Sequence, residues 1–336
     1  MVTEGIIQNQ ALSWARERLG DPAAEVEALP GEASGRRFAR IRGGFGTAML
    51  MVGPDEAENL KWHDLGLKFW AAGLAVPEIF VGDLRRGYFL MEDLGEGRLD
   101  RLALGGAAPA ELAEAYLGVA ETLADWHERA LEAAGELALA NPPYEAESVK
   151  TLEWDYFVAG LRLIDLPLVI HEDIDAEAVR LCRAVSFADG RRVLIHRDFQ
   201  SRNLMVTQCG PKIVDWQGAR LGPATYDLGS LLWDPYVNLD ASIHYSCVNA
   251  YLRARNLPEP DEAFWNDLAL SSLMRLMQAT GAYAKLSRID NLAHYGAYLL
   301  PAVNRMSEIV DFLGSRDYPM IYELIESAAL ALGGPK

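Results

Sequence analysis

The stretch Val193-Leu-Ile-His196-Arg197-Asp198-Phe-Gln-Ser-Arg202-Asn203-Leu-Met-Val206, followed by Lys212-Ile-Val-Asp215-Trp216, decides the reading of this chain. An apolar run with strand character feeds a polar loop in which Asp198 and Asn203 stand five residues apart. A second short apolar run then returns and ends on Asp215. Taken alone, His-Arg-Asp would be a solvated turn, and an Asp after a Val-rich strand would be a helix cap. Four elements in order, each on the strand or loop its chemistry needs, point instead to one site. The set suits phosphoryl transfer: one carboxylate to accept the proton of an attacking hydroxyl, and two oxygen ligands to hold Mg²⁺ across nucleotide phosphates.

The spacing His-Arg-Asp-x-x-x-x-Asn matches the catalytic-loop signature of the kinase fold, with the later Asp as metal ligand. Asp198 is therefore the expected base, Asn203 and Asp215 the expected metal ligands, and ATP with Mg²⁺ the expected cofactors. His196 is expected to brace the loop. Asp227, in Pro223-Ala-Thr-Tyr-Asp227-Leu228, is expected to accept hydrogen bonds from the catalytic-loop backbone and support Asp198.

Composition bounds the alternatives. The 336 residues are half hydrophobic and 24% charged, as in an ordinary globular enzyme. The 48 acidic and 31 basic residues give a formal net charge of −17, which disfavours a phosphate-backbone partner, so no nucleic acid is expected. No run approaches the roughly 18 uncharged apolar residues of a membrane span, and Met1 to Asp21 mixes Glu, Gln, Asn and Arg, unlike a secretory signal. Cys182, Cys209 and Cys247 are scattered without metal-ligand spacing, which suits a reducing cytoplasm. A monomer or weak homodimer is expected.

The first hundred residues are read as mixed α and β. Short strands at Arg37 to Ile41 and Thr47 to Val52 flank the turn Gly43-Gly44-Phe45-Gly46. A helix from about Glu56 to Ala72 follows, then strands at Glu78 to Val81 and Tyr88 to Met91. Beyond Gly95 helical periodicity dominates; Leu112, Tyr116, Val119, Leu123 and Trp126 mark one apolar face. The expected architecture is α+β and bilobal, protein-kinase-like. A small mixed N-lobe (1–93) would carry the nucleotide sheet, and a larger, mainly helical C-lobe (94–336) the catalytic loop, metal site and acceptor pocket.

The motif order resembles the aminoglycoside phosphotransferase and choline kinase superfamily over nearly the whole chain, from about Gly31 to beyond Tyr295. The wording is similar to one branch, the anomeric kinases of N-acetylmuramate and N-acetylglucosamine in cell-wall recycling. The matching phrases are His196 to Met205, Leu221-Gly-Pro-Ala-Thr-Tyr-Asp-Leu228 and Phe89-Leu-Met-Glu-Asp-Leu-Gly95. A protein kinase is disfavoured, because the eleven residues between Asp215 and Asp227 leave no room for an activation segment. The resemblance implies a hinge at Met91, Glu92 and Leu94 meeting adenine through backbone groups. It implies a phosphate loop at Gly31-Glu-Ala-Ser34-Gly35-Arg36-Arg37. It also implies a small-molecule acceptor.

One departure stands out. Kinases of this fold carry a third-strand Lys for the α- and β-phosphates, paired with a helix Glu. The equivalent run here, Thr47-Ala-Met-Leu-Met-Val52, has none, and Lys61 and Lys68 fall on the following helix. Either Arg36, Arg37 or Arg40 supplies the charge, or Mg²⁺ and backbone hold the nucleotide, or the enzyme is slow; Glu56 and Glu58 then have no assigned role. For the acceptor, the candidates are Glu153, Trp154, Tyr156 and Phe157, Arg202 in the catalytic loop, and Trp233 with Asp234. An aminoglycoside, choline or other amino alcohol is the alternative acceptor, and a nucleotide-binding pseudokinase the non-enzymatic alternative.

Overall fold

An antiparallel sheet of five strands in the order β1-β2-β3-β5-β4 forms the N-terminal part: β1 (Glu25–Ala28), β2 (Arg37–Gly43), β3 (Gly46–Val52), β4 (Ile79–Asp83) and β5 (Tyr88–Met91). The computed structural model describes residues 7, 9–30, 35–164, 172–186, 192–314 and 317–333. Helix α1 (Asn9–Leu19) precedes the sheet and α2 (Glu56–Ala71) is inserted between β3 and β4. Gly43 pairs with Gly46 at the turn expected from sequence. Helix α1 and edge strand β1 escaped the sequence reading; α1 buries only Ala11, Trp14 and Ala15, a stripe too narrow to stand out against its polar residues. It packs there against Ala39, Ile41, Ala48, Leu50, Tyr88 and Leu90 of the sheet.

Helix α2 begins at Asp55, whose side chain caps the Glu58 N–H at 2.9 Å, as Asp does at an N-cap. Its glycine, Gly66, lies where a Cβ would come within 2.6 Å of the Trp216 ring. Trp216 stacks on Trp62 with centroids 5.5 Å apart and donates its indole N–H to the Trp62 carbonyl at 2.8 Å. The residue after Asp215 thus anchors α2 to the C-terminal part.

The C-terminal part is helical: α3 (Leu99–Leu104), α4 (Pro109–Ala134), α5 (Ala146–Val149), α6 (Asp155–Leu163), α7 (Glu172–Ser186), α8 (Ala224–Leu232), α9 (Ala241–Ala254), α10 (Glu262–Arg288), α11 (Leu299–Leu313) and α12 (Pro319–Ala331). Two antiparallel ladders interrupt it, β6 (Arg192–Ile195) with β9 (Arg220–Pro223), and β7 (Leu204–Thr207) with β8 (Gly210–Ile213). Strands β7 and β9 were not anticipated. Among the described residues no helix is long and apolar enough to cross a membrane. The described cysteines are free, with Cys182 and Cys247 buried.

The long helix α10 is the central post, buried along Leu268 to Ala284. It crosses α6 backbone to backbone, since a Cβ on Gly160 would lie 2.6 Å from the Gly281 Cα. A Cβ on Gly281 would lie 2.6 Å from the Tyr156 carbonyl oxygen. Backbone cannot swing aside as a side chain can. Gly281→Val should therefore lower stability in denaturant unfolding by about 1–3 kcal/mol through overpacking. Gly44→Ala, at an open turn with nothing within 4 Å of the added Cβ, should stay within about 0.5 kcal/mol of the parent.

Candidate active site

The ladder β6–β9 delivers the chain into the catalytic loop, and the buried carboxylate of Asp227 on α8 catches it. Asp227 accepts the His196 N–H at 2.6 Å and the Arg197 N–H at 2.8 Å. The clamp coincides with a backbone reversal: Arg197 takes the left-handed conformation at φ 74°, unusual for a residue with a side chain. Below it, the His127 Nε2 lies 3.1 Å from Asp227 Oδ2 and Nδ1 lies 2.8 Å from the Tyr251 hydroxyl. Burial holds the His127 imidazole below its ordinary range, the Asp227 carboxylate only partly opposing this. Nε2–H then donates to Asp227 and Nδ1 accepts from Tyr251.

His196 is fully buried and ties the two halves of the site together. Its Nδ1 accepts the Asp198 N–H at 3.3 Å while Nε2 donates to the Val214 carbonyl at 2.9 Å, one residue before Asp215. The Val214 N–H donates in turn to the Asn203 carbonyl at 3.0 Å. Asn203 Nδ2 donates to the Asp198 carbonyl at 2.9 Å and to Asp198 Oδ2 at 3.1 Å. Asp198, Asn203 and Asp215 thus belong to one hydrogen-bonded knot. The Asp198 side chain remains 42% exposed and that of Asp215 35%, open to a ligand. Asp215 is itself left-handed at φ 71°.

The donor set fits a magnesium ion. With its amide nitrogen turned to Asp198, Asn203 has its amide oxygen left for a cation, and Asp215 offers a carboxylate. Two protein ligands suit Mg²⁺, which keeps waters and substrate phosphates in its shell. In this structure Asp215 Oδ1 is met by Arg36 Nη1 and Gln217 Nε2, each at 2.9 Å, so one cation and one amide donor already gather on that oxygen.

Arg275 escaped the sequence reading. It projects from α10, is 6% exposed, and donates from Nη2 to Asp198 Oδ1 at 2.6 Å and to Gln200 Oε1 at 3.2 Å. Its Nε donates to the Ser230 hydroxyl at 3.0 Å. The separation of 77 residues hides the contact from any local motif. One signal was present: a single cation inside Ser271-Ser-Leu-Met-Arg275-Leu-Met277 reads as a buried charge in need of a partner.

Met91 ends β5, 8% exposed, and Leu94 is half-buried. The Glu92 N–H is committed to the Glu78 carbonyl at 2.8 Å and its side chain to Lys212 at 3.3 Å, so that amide is not free to meet adenine. Arg40 is spent on the same segment, bound to Asp93 at 2.7 Å, to Glu96 and to the Gly95 carbonyl. Gly35, at φ 71°, and Arg36 precede β2; Ser34 lies outside the described residues.

Several acceptor candidates are corrected. Trp154 and Phe157 are buried in the C-terminal core, because the turn Lys150–Trp154 and α6 pack that face against α7 and α10. Glu153 is fully buried, 3.4 Å from the Arg197 guanidinium, and burial raises its carboxyl against the pull of Arg197 and Arg275. Asp234 is 1% exposed and accepts from the Ser201 N–H and hydroxyl and the Tyr236 N–H, which makes it a latch for the catalytic loop. Trp233 is half-buried against His244. Arg202 is inserted into a tyrosine cluster, its guanidinium 3.7 Å from the Tyr236 ring centroid and 5.1 Å from that of Tyr298, and it reaches the Tyr298 hydroxyl at 2.8 Å.

The geometry is that of a kinase-fold phosphotransferase, and comparison gives the class. Residues 25–264 match the phosphotransferase enzyme family, and the chain belongs to it. It is a small-molecule kinase. The chain is 28% identical over 306 residues to the N-acetylmuramate/N-acetylglucosamine kinase of Pseudomonas aeruginosa, covering 86% of this chain and 87% of that one. It is 25% identical to the enzyme of the same name from Pseudomonas putida, covering 90% and 93%. Among solved structures, a choline/ethanolamine kinase family protein from Mesorhizobium loti superposes with a TM-score of 0.64 at 16% identity. That superposition covers 95% of this chain and 99% of the other, and it establishes the bilobal protein-kinase-like fold.

Asp227→Asn keeps the shape and removes the charge, turning one acceptor into an NH₂ that faces a backbone N–H. We expect a loss of about 2–3 kcal/mol in urea unfolding, the scale of a buried charge-assisted hydrogen bond. An unchanged midpoint would show that the clamp does not hold the loop.

Proposed function

We propose that this kinase transfers the γ-phosphoryl group of ATP, with Mg²⁺, to the anomeric hydroxyl of an N-acetylated amino sugar such as N-acetylmuramate or N-acetylglucosamine. Asp198 is the catalytic base and takes the hydroxyl proton as the acceptor oxygen bonds to phosphorus. The bond from γ-phosphorus to the β,γ-bridging oxygen breaks and ADP leaves. Asn203 and Asp215 hold the metal, which when bound neutralises charge on the phosphates. Arg275 fixes Asp198 Oδ1 while Asn203 and Gln200 meet Oδ2, which orients the part-exposed carboxylate for the acceptor. Little covalent chemistry is asked of the protein, so positioning and electrostatics carry the acceleration.

The observation that carries the phosphotransfer reading is the knot joining Asp198, Asn203 and Val214–Asp215 through His196. For the acceptor, the support is the shared name of two relatives matched along most of their length. A second feature agrees. A cationic acceptor wants an aromatic cage, and the tyrosine cluster next to the catalytic loop is already filled by the chain's own Arg202.

The test is ADP release by the purified protein with Mg-ATP across N-acetylmuramate, N-acetylglucosamine, glucosamine, kanamycin and choline. Turnover is expected with the N-acetylated sugars and lost with their 1-O-methyl glycosides; turnover confined to kanamycin or choline would overturn the acceptor assignment. Asp198→Asn should cut kcat by about 10²–10⁴-fold, the range of general base catalysis, with nucleotide affinity near that of the parent. Asp215→Ala should instead abolish the Mg²⁺ dependence of nucleotide affinity in calorimetry, and retention of that dependence would refute its role as ligand.

A further inference from the structure

We infer that Arg36, beside Glu58, is the phosphate-side cation that the third strand lacks, and that without nucleotide it occupies the metal's carboxylate, Asp215. The inference rests on the kinase reading above. It concerns where the missing positive charge comes from and what it does before the substrate arrives.

Elimination narrows the source. Strand β3 reads Gly-Thr-Ala-Met-Leu-Met-Val and carries no cation. Lys61 is turned to Asn141 at 2.7 Å, and the Lys68 ammonium lies beside Gly135 at the end of α4. Arg40 is held by Asp93 and Glu96, and Arg37 is exposed. Arg36 is 3% exposed and its Nη1 stands 2.9 Å from Asp215 Oδ1.

The strand pattern explains why a residue from β2's start can serve. Side chains two apart on a strand share a face, so Arg36 lies on the face of Phe38 and Arg40, whose cross-strand partners are Met51 and Met49. Those two methionines pair onward with Phe89 and Met91 of β5. The cation therefore comes from the neighbouring strand, on the face a third-strand side chain would use. Its other nitrogen, Nη2, is 3.8 Å from Glu58 Oε2 on α2, and its guanidinium carbon is 5.9 Å from the Trp62 ring centroid. One of these partners, a helix glutamate, is the residue that pairs with the strand lysine in kinases that have one. A guanidinium also suits this place chemically. Its planar fork can bind two phosphate oxygens at once, or keep Glu58 on one nitrogen while turning the other to phosphate.

Arg36 and Gln217 both meet Asp215 Oδ1, so a divalent cation that takes that oxygen competes with Arg36 for it. When Mg-ATP enters, the metal takes the Asp215 carboxylate and Arg36 turns to the nucleotide's phosphates. The pair is then a placeholder: it satisfies a left-handed, part-exposed carboxylate in the empty enzyme and releases a cation already aimed at the phosphates.

The opposite signs of two affinities test this. In Arg36→Gln, calorimetry should show Mg-ATP and Mg-ADP binding about 10- to 100-fold weaker, the range of one charge-assisted hydrogen bond. Adenosine affinity should be unchanged. Mn²⁺ binding without nucleotide, followed by electron paramagnetic resonance, should tighten by roughly 2- to 5-fold as a part-exposed ion pair stops competing for Asp215. Glu58→Gln, at a side chain 53% exposed and so harmless to folding, should weaken Mg-ATP by roughly 2- to 5-fold without changing Mn²⁺ affinity. Weakening of metal and nucleotide together in Arg36→Gln would mark a merely structural residue and overturn the inference, as would full retention of Mg-ATP affinity in both variants. Parent protein that binds no Mg-ATP would bring down the kinase reading and the inference with it.

Discussion

The site depends on one buried carboxylate. Asp227 receives two consecutive backbone N–H groups, those of His196 and Arg197, at the point where the chain reverses into the left-handed region. Consecutive amides point the same way only when the backbone between them is turned, and such a turn costs free energy for a residue with a Cβ. A buried anion offsets that cost, because hydrogen bonds to a charged acceptor are strong in a low-dielectric interior. His127 and Tyr251 in turn hold the acceptor, so the loop's shape is set from beneath by α4, α8 and α9.

From this clamp the geometry propagates outward through hydrogen bonds of a single residue. His196 joins the Asp198 amide to the Val214 carbonyl. Moving either this loop or the strand leading to Asp215 would break that bridge, so Asp198 and Asp215 shift together. Arg275 fixes Asp198 from the other side. Its long helix lies close enough to do so because Gly160 and Gly281 allow α6 and α10 to cross backbone to backbone, and because Ser272 meets Gly229 on α8. A buried cation against a carboxylate contributes little net stability once desolvation is counted. Its value here is orientation.

The two parts of the molecule meet through charged and aromatic contacts around the nucleotide side of the site. Arg36 reaches Asp215, Lys212 reaches Glu92 and the Val76 carbonyl, and the Trp62–Trp216 stack seats α2 beside the segment that carries Asp215. The ion pairs involve part-exposed side chains and are individually weak, whereas the aromatic stack and the Trp216 N–H bond are buried. The aromatic contacts are thus the firm joint, and the part-exposed ion pairs are the weaker contacts beside it.

By itself, the sequence determined the chemistry and the class of fold. His196, Asp198, Asn203 and Asp215 lie within twenty residues on a strand-loop-strand path, where local spacing dictates proximity, and the period of α4 and the glycine turn at 43–46 are local patterns as well. What only the tertiary structure decided are the contacts between residues far apart in the chain. Arg275 on Asp198, Arg36 on Asp215 and Glu58, and Arg202 inside the tyrosine cluster have no local signature. The same limit explains the acceptor residues that were misjudged. Trp154, Phe157, Glu153 and Asp234 have the chemistry of a sugar pocket, but their helices and turns bury them. Spacing along a chain reveals which groups can stand side by side on one element; which face that element buries is settled by the surfaces packed against it.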